Sequence, residues 1–275
     1  MTYHGVDDRT HPVINYDRLQ TYPDLFTCQV EALAREFSIV DLGDAVRGFL
    51  AKGIWPDRAL AITFDDGYQN NLLFAAPILK RIGVPATFFV TAGFVDGRVT
   101  PWWYDLRRWL ARSGQPPNEA TARAIDLEAK LRPMKESVRD LELAKLGVER
   151  GGDCFYPLMN RDECNRLIAM GFDLQCHGDT HASFAGESPE RVKKEMQASV
   201  DFVSSLGQKP WGIAYPYGHE AADLEAARAA MTSLGLSAAL TTREGANGVD
   251  ADPWRLRRWD MHGGYTPLAA VARVS

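Results

Sequence analysis

Two adjacent carboxylates that interrupt a short apolar run are the first residues with clear chemical potential. Residues 60–64 are apolar and β-branched, the pattern of a strand buried on both faces. Because unpaired charges are too costly in an apolar interior, this strand must end at Phe64, and Asp65 and Asp66 must lie on the following loop. Gly67 permits a sharp turn there. In α/β folds the carboxyl ends of parallel strands hold the ligands, so the two aspartates are expected at a functional rim.

A pair of histidines follows a later predicted strand, residues 172–176. His177 and His181 are four positions apart, and short His-x₃-His spacings can bind one zinc ion. Taken alone, the pair fits equally well two loop histidines that hydrogen-bond the backbone. Together with one carboxylate from Asp65 or Asp66, it makes the two-histidine, one-carboxylate donor set that is typical of catalytic metals.

A third motif, Pro216-Tyr217-Gly218, follows the predicted strand at residues 211–215. Proline and glycine make a turn there, which is the simplest interpretation. Backbone N–H groups in such a turn can also face a developing oxyanion.

The elements that must position these motifs alternate between strand and helix. The predicted strands are residues 1–6, 60–64, 86–90, 172–176, 211–215, 237–241 and an extended piece at 256–261. The first three predicted helices are 28–37 with Thr27 as N-cap, 41–52 ended by Gly53, and 70–82, in which Pro77 is a kink or a new first turn. Three more are predicted: one capped by Asn160 with Glu163, one that begins at Ser188-Pro189, and 221–234. About seven strands separated by helices predict a barrel-like parallel sheet.

Residues 101–150 interrupt this alternation. The charged, helix-favouring stretch 118–147, with a break at Pro133, predicts a helical insertion whose charges form a solvated face. Residues 101–109 contain three tryptophans, which can stack on sugar rings if exposed but are more commonly packed under a loop. No role follows from sequence for Arg107 and Arg108.

The composition of the 275-residue chain is that of one α/β domain, 1–275, with ordinary hydrophobic and charged fractions of 45% and 24%. A net charge of −5 argues against a nucleic-acid or anionic-membrane surface as the main function. The four cysteines form no C-x-x-C pair and are expected to be reduced thiols. No signal peptide and no membrane span are visible, so a cytoplasmic location is expected.

In their order along the chain, T-F-D-D-G-Y, H-x₃-H and Y-P-Y-G resemble the motifs of the polysaccharide deacetylase family, the NodB-homology group or carbohydrate esterase family 4. The resemblance extends to Y-H-G-V at 3–6, A-A-P-I-L-K at 75–80, P-A-T-F-F-V at 85–90 and R-L-R-R at 255–258. It covers most of the chain apart from residues 101–150. It implies a distorted (β/α)₇ barrel of mostly parallel strands with a helical insertion.

The resemblance also implies one divalent metal ion, usually zinc, and hydrolysis of N-acetyl groups on amino sugars. Carried over by motif, Asp65 is the general base, and the metal ligands are Asp66, His177 and His181. The Tyr217 backbone N–H, together with the metal, holds the tetrahedral oxyanion. This agrees with the chemistry that the residue types predict.

Two positions depart from the family's pattern. Many relatives have an arginine before the Y-P-Y-G turn that orients the catalytic aspartate, and here Arg258 on the last strand is the expected substitute. The general acid is usually a histidine near the C-terminus, so His262 is the first candidate, with His4 at the first strand tip as its competitor.

The expected function is therefore that of a metal-dependent N-deacetylase whose partner is an acetylated amino sugar or glycan. One alternative is hydrolysis of another amide, such as a formamide or a cyclic amide. The other is a glycan-binding relative without turnover, against which the intact aspartates and histidines argue, because a binding protein does not need a costly pair of carboxylates.

Overall fold

The computed structural model describes residues 1–274, in which short parallel strands alternate with helices. The strands are β1 (Thr2–Tyr3), β2 (Gly5–Val6), β3 (Gln20–Thr21), β4 (Ser38–Ile39), β5 (Ala59–Leu60), β6 (Thr63–Phe64), β7 (Thr87–Val90), β8 (Asp173–Cys176), β9 (Gly212–Ala214) and β10 (Ala238–Leu240). The α-helices are α1 (Pro23–Glu36), α2 (Leu42–Lys52), α3 (Ala76–Ile82), α4 (Ala92–Val95), α5 (Trp102–Ala111), α6 (Pro117–Leu131), α7 (Glu136–Lys145), α8 (Arg161–Ala169), α9 (Pro189–Ser205), α10 (Leu224–Ser233) and α11 (Pro267–Val274). A π-helical turn spans Asn71–Ala75, and 3₁₀ turns span Pro216–Gly218 and Pro253–Arg255.

Six of these strands form one parallel sheet in the order β1-β6-β7-β8-β9-β10. Residues 256–261, predicted as the last strand, are extended but pair only through isolated parallel bridges. Leu256 bridges Leu240 at one edge of the sheet, and Asp260 bridges Thr2 at the other. The two edges are thereby joined through one segment, and the predicted distorted barrel of parallel strands is confirmed.

Aromatic side chains from neighbouring strands fill the interior. Phe64 of β6 stacks on Phe88 of β7 with ring centroids 4.7 Å apart, and Tyr3 of β1 stacks on Phe64 at 5.7 Å. All three rings are buried. Because parallel strands are covered on both faces, this core holds the strand ends in a fixed register and so fixes the loops that follow them.

The central stretch at 60–64 was predicted as one strand, and the structure divides it. Leu60 ends β5, which pairs with β4, whereas Thr63 begins β6, which pairs with β1 and β7. Between Leu60 and Thr63 the chain therefore leaves one sheet and enters another. The predicted end at Phe64 is confirmed, and Asp65 and Asp66 lie on the loop beyond it.

Helix boundaries were predicted well where a cap marks them. Asp41 caps α2 and Gly53 ends it in the left-handed conformation, while Asn160 and Glu163 form the predicted capping box of α8. Thr27 as an N-cap is wrong. The helix begins earlier, at Pro23, whose fixed φ suits a first turn, and the Thr27 hydroxyl donates to the Pro23 carbonyl instead.

The segment 101–150 is helical as predicted, and its residues Leu106, Leu110, Ala120 and Ala124 belong to a second core cluster that also includes Val13, Ile14, Tyr68, Phe94 and Tyr156 from outside it. Its tryptophans are packed rather than exposed, with Trp102 and Trp103 both buried. Most charged side chains of 118–147 are exposed as predicted, but Glu128 and Arg139 are buried, and Glu128 is paired with the buried Arg107. Among the described residues, no helix combines the length and the apolar character needed to cross a bilayer.

Candidate metal centre

Strand ends bring the predicted site residues to one rim of the barrel. Asp65 and Asp66 follow β6, His177 follows β8, and Tyr217 follows β9. The loop after β6 is sharply turned, since Asp66 has φ of +74° and Gly67 has φ of +94°. Such values lie in the left-handed region, which glycine adopts freely and which Asp tolerates better than most residues.

Three buried side chains converge at this rim. The Nε2 atoms of His177 and His181 lie 3.3 Å and 3.1 Å from the Oδ1 atom of Asp66. One donor atom from each residue lies within 4.8 Å of the other two. The predicted ligands Asp66, His177 and His181 are therefore adjacent.

The hydrogen bonds of this cluster suit a cation. His177 Nδ1 lies 2.8 Å from the carbonyl oxygen of Ala214, a contact in which Nδ1 is the donor, and Nε2 is the nitrogen that faces Asp66. The Nδ1 atom of His181 is buried without a hydrogen-bond partner. Two imidazole nitrogens and a carboxylate oxygen around one point form a donor set that fits a divalent ion such as Zn²⁺.

The charges of the cluster are strongly coupled. Burial would raise the pKa of Asp66, but hydrogen bonds from His177 and His181 lower it well below its usual range. Burial lowers the pKa of His181. Burial would lower the pKa of His177, but the Asp65 and Asp66 carboxylates outweigh burial and raise that pKa. Asp66 is therefore ionised at neutral pH, as a metal ligand must be.

Asp65 has a different partner from its neighbour. Arg258 donates from Nη1 to Oδ1 at 2.8 Å and from Nη2 to Oδ2 at 2.7 Å, a bidentate pair that is buried. The same guanidinium also donates to the Thr63 hydroxyl and the Thr241 carbonyl. Burial would raise the pKa of Asp65, but Arg258 and then His177 lower it. The structure thus brings Arg258 and Asp65 together as predicted.

A cavity of about 120 Å³ opens over these groups. Residues at strand ends form one side of the cavity: His4, Asp65, Asp66, His177, His181 and Tyr217. The insertion contributes four further lining residues: Trp102, Trp103, Arg107 and Arg132. Arg107, to which the sequence assigned no role, is therefore a cavity residue.

His262 does not line this cavity, whereas its competitor His4 does. The segment 256–261 ends just before His262, and the chain then turns away. Gly264 donates its backbone N–H to His262 Nδ1, and the imidazole packs on the ring of Tyr265 at 4.3 Å. These contacts hold the ring of His262 outside the cavity, so His4 is the one of these two histidines that lines it, and the identity of the general acid stays a prediction.

Tyr217 lies in the 3₁₀ turn with φ of +60°, and its ring is 4.5 Å from that of His181. Trp102 of the insertion donates its indole N–H to the Tyr217 hydroxyl at 2.7 Å. The insertion is thus bonded directly to the turn after β9. The role predicted for the Tyr217 backbone N–H stays a prediction.

Glu195 on α9 is a site residue that the sequence reasoning missed. Its carboxylate is buried and accepts hydrogen bonds from the loop between the two histidines. A signal was present, because Glu195 lies in the inward stripe of α9 between Val192 and Met196. A charged residue at an inward position needs a buried partner.

Residues 52–239 match the family model described as polysaccharide deacetylase. A search of the curated proteins finds no significant match.

Solved structures with the same fold span the chain. The deacetylase PplD from Streptococcus pyogenes, in complex with acetate, is 18% identical with a TM-score of 0.70, covering 100% of this chain and 96% of that one. IcaB from Ammonifex degensii is 20% identical with a TM-score of 0.66, covering 99% and 95%. A de-N-acetylase from Aggregatibacter actinomycetemcomitans is 15% identical with a TM-score of 0.62, covering 96% and 95%. At these identities the similarity establishes the fold alone.

Proposed function

This chain belongs to the polysaccharide deacetylase family, and from that premise we propose that it hydrolyses the N-acetyl group of an acetylated amino sugar or glycan with the help of one divalent metal ion. The observation that carries the proposal is that two adjacent aspartates line one cavity and have different partners. Asp66 faces two histidines, whereas the adjacent Asp65 is held by an arginine. One carboxylate is therefore available as a ligand and the other as a base.

Asp66, His177 and His181 would hold the ion, with Zn²⁺ the expected one. When bound, the ion would supply positive charge that acidifies water and polarises the acetyl carbonyl. The cavity is smaller than the roughly 300–1,000 Å³ of sites that enclose a drug-sized ligand. Its size suits the acetamido group and part of one sugar ring.

Asp65 is the general base in this proposal. It accepts a proton from the attacking water as the new C–O bond forms, and the Tyr217 backbone N–H donates to the oxygen that becomes negative. Arg258 keeps the carboxylate ionised and fixes the plane in which its oxygens lie. The C–N bond then breaks, which gives acetate and a free amine.

His4 is the proton donor to the leaving nitrogen. An amide nitrogen leaves poorly unless it is protonated, and an imidazole titrates near neutrality. His4 lines the same cavity as Asp65, and its Nδ1 atom lies 3.9 Å from Asp260 Oδ1.

Acetate release from purified protein tests the function. The protein is stripped with a chelator, reloaded with Zn²⁺, and offered acetylated monosaccharides, oligosaccharides and nucleotide-linked sugars. We expect about one ion per chain and release of acetate that the chelator abolishes. The double variant His177→Ala, His181→Ala should lose both, whereas His219→Ala, at an exposed histidine, should keep both.

Other outcomes of this assay contradict the proposal in distinct ways. Formate or a ring-opened product in place of acetate would mean that another amide is the substrate. Sugar binding without any release would mean a glycan-binding protein. Full metal content in the double histidine variant would contradict the assignment of His177 and His181 as metal ligands.

A further inference from the structure

A buried carboxylate outside the metal centre holds the loop that joins the two histidines. Glu195 of α9 is 1% exposed. Its Oε2 atom accepts the backbone N–H groups of Asp179 and Thr180, each at 2.8 Å. Its Oε1 atom accepts the Thr180 hydroxyl at 2.9 Å. Both oxygens of one side chain are thus bonded to the segment between His177 and His181.

This loop is held from two sides. Its carbonyl groups accept from the start of α4, with Ala92 N donating to Gly178 and Gly93 N donating to Asp179. Its N–H groups at Asp179 and Thr180 donate to Glu195. A loop has no helix or sheet ladder to fix its shape, so these contacts determine the direction in which each flanking imidazole points.

The buried charge of Glu195 is balanced by an arginine on its own helix. Arg191 Nη2 lies 2.9 Å from Glu195 Oε1 and 2.9 Å from Glu136 Oε2 of α7 in the insertion. The same nitrogen donates to the Thr180 hydroxyl at 3.1 Å. Buried carboxylates are retained only where such partners exist, and here the partners are the loop and one cation.

We propose that Glu195 is a positioning residue of the metal centre, which shapes the 177–181 loop so that both imidazoles face Asp66 before an ion binds. The inference rests on the proposed metal centre and adds a residue to it that touches neither ion nor substrate. Residues that orient metal ligands typically change metal affinity by about 10- to 100-fold when they are lost. Glu195 therefore sets how tightly and with what geometry the site takes its ion.

Titration of the metal-free protein with Co²⁺ tests this inference without any substrate. The visible absorption of Co²⁺ reports the geometry of its ligands, and competition with a chelator gives its Kd. In Glu195→Gln the charge is lost and one of the two oxygens becomes an NH₂ donor, so either the two backbone N–H groups or the Thr180 hydroxyl loses its acceptor. We therefore expect about 10- to 100-fold weaker binding and an altered spectrum. The matched control is Glu190→Gln, an exposed glutamate on the same helix, which should match the wild type.

If Glu195 only anchors α9, Glu195→Gln should lower the melting temperature but leave the Co²⁺ Kd and spectrum unchanged. That result overturns the inference. If Glu195→Gln does not fold, Glu195→Asp decides. Its shorter side chain keeps the charge but cannot reach both N–H groups, so weaker Co²⁺ binding supports the inference and wild-type affinity overturns it.

The result also separates this inference from the proposed function. A wild-type protein that binds no Co²⁺ overturns both the inference and the metal centre. Normal Co²⁺ binding that Glu195→Gln leaves intact overturns the inference alone. Absence of acetate release overturns only the proposed activity.

Discussion

The barrel and the insertion each contain a buried arginine–carboxylate pair, and the two pairs are nearly identical in geometry. In the barrel, Arg258 contacts Asp65 at 2.8 Å and 2.7 Å, with side-chain exposures of 2% and 4%. In the insertion, Arg107 contacts Glu128 at 2.6 Å and 2.9 Å, with exposures of 3% and 2%. Neither distance nor burial separates them.

The pairs differ in which member faces the cavity. The barrel presents the carboxylate of Asp65 and places Arg258 behind it, whereas the insertion presents Arg107 and places Glu128 behind it. A carboxylate can accept a proton, but a guanidinium stays charged and does neither acid nor base chemistry at ordinary pH. The same kind of ion pair therefore presents to the cavity a group that can accept a proton in one region and a fixed cation in the other.

The partners of Arg107 support a structural role. It also donates to Asp17 at 2.7 Å and to the Ile14 carbonyl at 2.9 Å, and its guanidinium lies 4.4 Å from the ring centroid of Tyr16. These contacts join the insertion to residues 14–17 of the N-terminal loop.

The largest effect is expected for Asp65→Asn, which removes the base but no ligand. Acetate release should fall by about 10³-fold or more, since general base catalysis is worth 10²- to 10⁴-fold, while metal content stays unchanged. The matched control is Glu128→Gln in the other pair, which should lose stability and keep its turnover number within about threefold. A comparable loss of turnover in Asp65→Asn and Glu128→Gln would mean that the two ion pairs do not differ in function.

Arg258→Met should destabilise the protein by about 3–5 kcal/mol, because it leaves the buried Asp65 carboxylate without its cation. The loss of Arg258 also raises the pKa of Asp65, so the acid limb of kcat/KM should move to higher pH. Since the folded pKa of Asp65 is lowered, the stabilisation is complete above the unfolded pKa of about 3.9 and disappears as pH falls through the folded value. Denaturant unfolding from pH 7 to pH 3 and a pH–rate profile measure both.

Arg107→Met should cost a similar 3–5 kcal/mol, because the buried Glu128 carboxylate loses its bidentate partner and keeps only Arg132 at 3.6 Å. In this variant the acid limb of kcat/KM should stay where it is in the wild type, because Asp65 keeps Arg258. Denaturant unfolding and the same pH–rate profile check the two statements. An acid limb that moved as far as in Arg258→Met would mean that the two pairs act on one titrating group.

The smallest difference is expected between two histidines. His4→Ala should cut acetate release by about 100-fold, because His4 lines the cavity, whereas His262→Ala should stay within about threefold. With an activated acetate ester, whose leaving group needs no proton, the loss in His4→Ala should be much smaller. The reverse ranking of the two variants would restore His262 as the proton donor and would mean that facing the cavity does not identify the acting residue.

Much of the fold and the metal cluster could be predicted from local pattern. The aspartates could be assigned to a strand end because a buried strand cannot continue through two charges, and Phe64 is the last residue of β6. The cap Asn160 was found because a cap is a contact between residues three apart. These inferences need only neighbouring residues and the energetic cost of burying a charge.

The tertiary structure alone decided what each strand end faces. Arg258 and Asp65 are 193 positions apart and meet because the segment 256–261 joins the two edges of the sheet. Local sequence could not tell that Arg107 is buried, that His4 rather than His262 reaches the cavity, or that Glu195 holds the histidine loop. Such contacts depend on barrel closure and on how the helices pack around it, so no window of sequence contains both partners. Residue types determined which chemistry was available, and the long-range packing determined which copy of each type performs it.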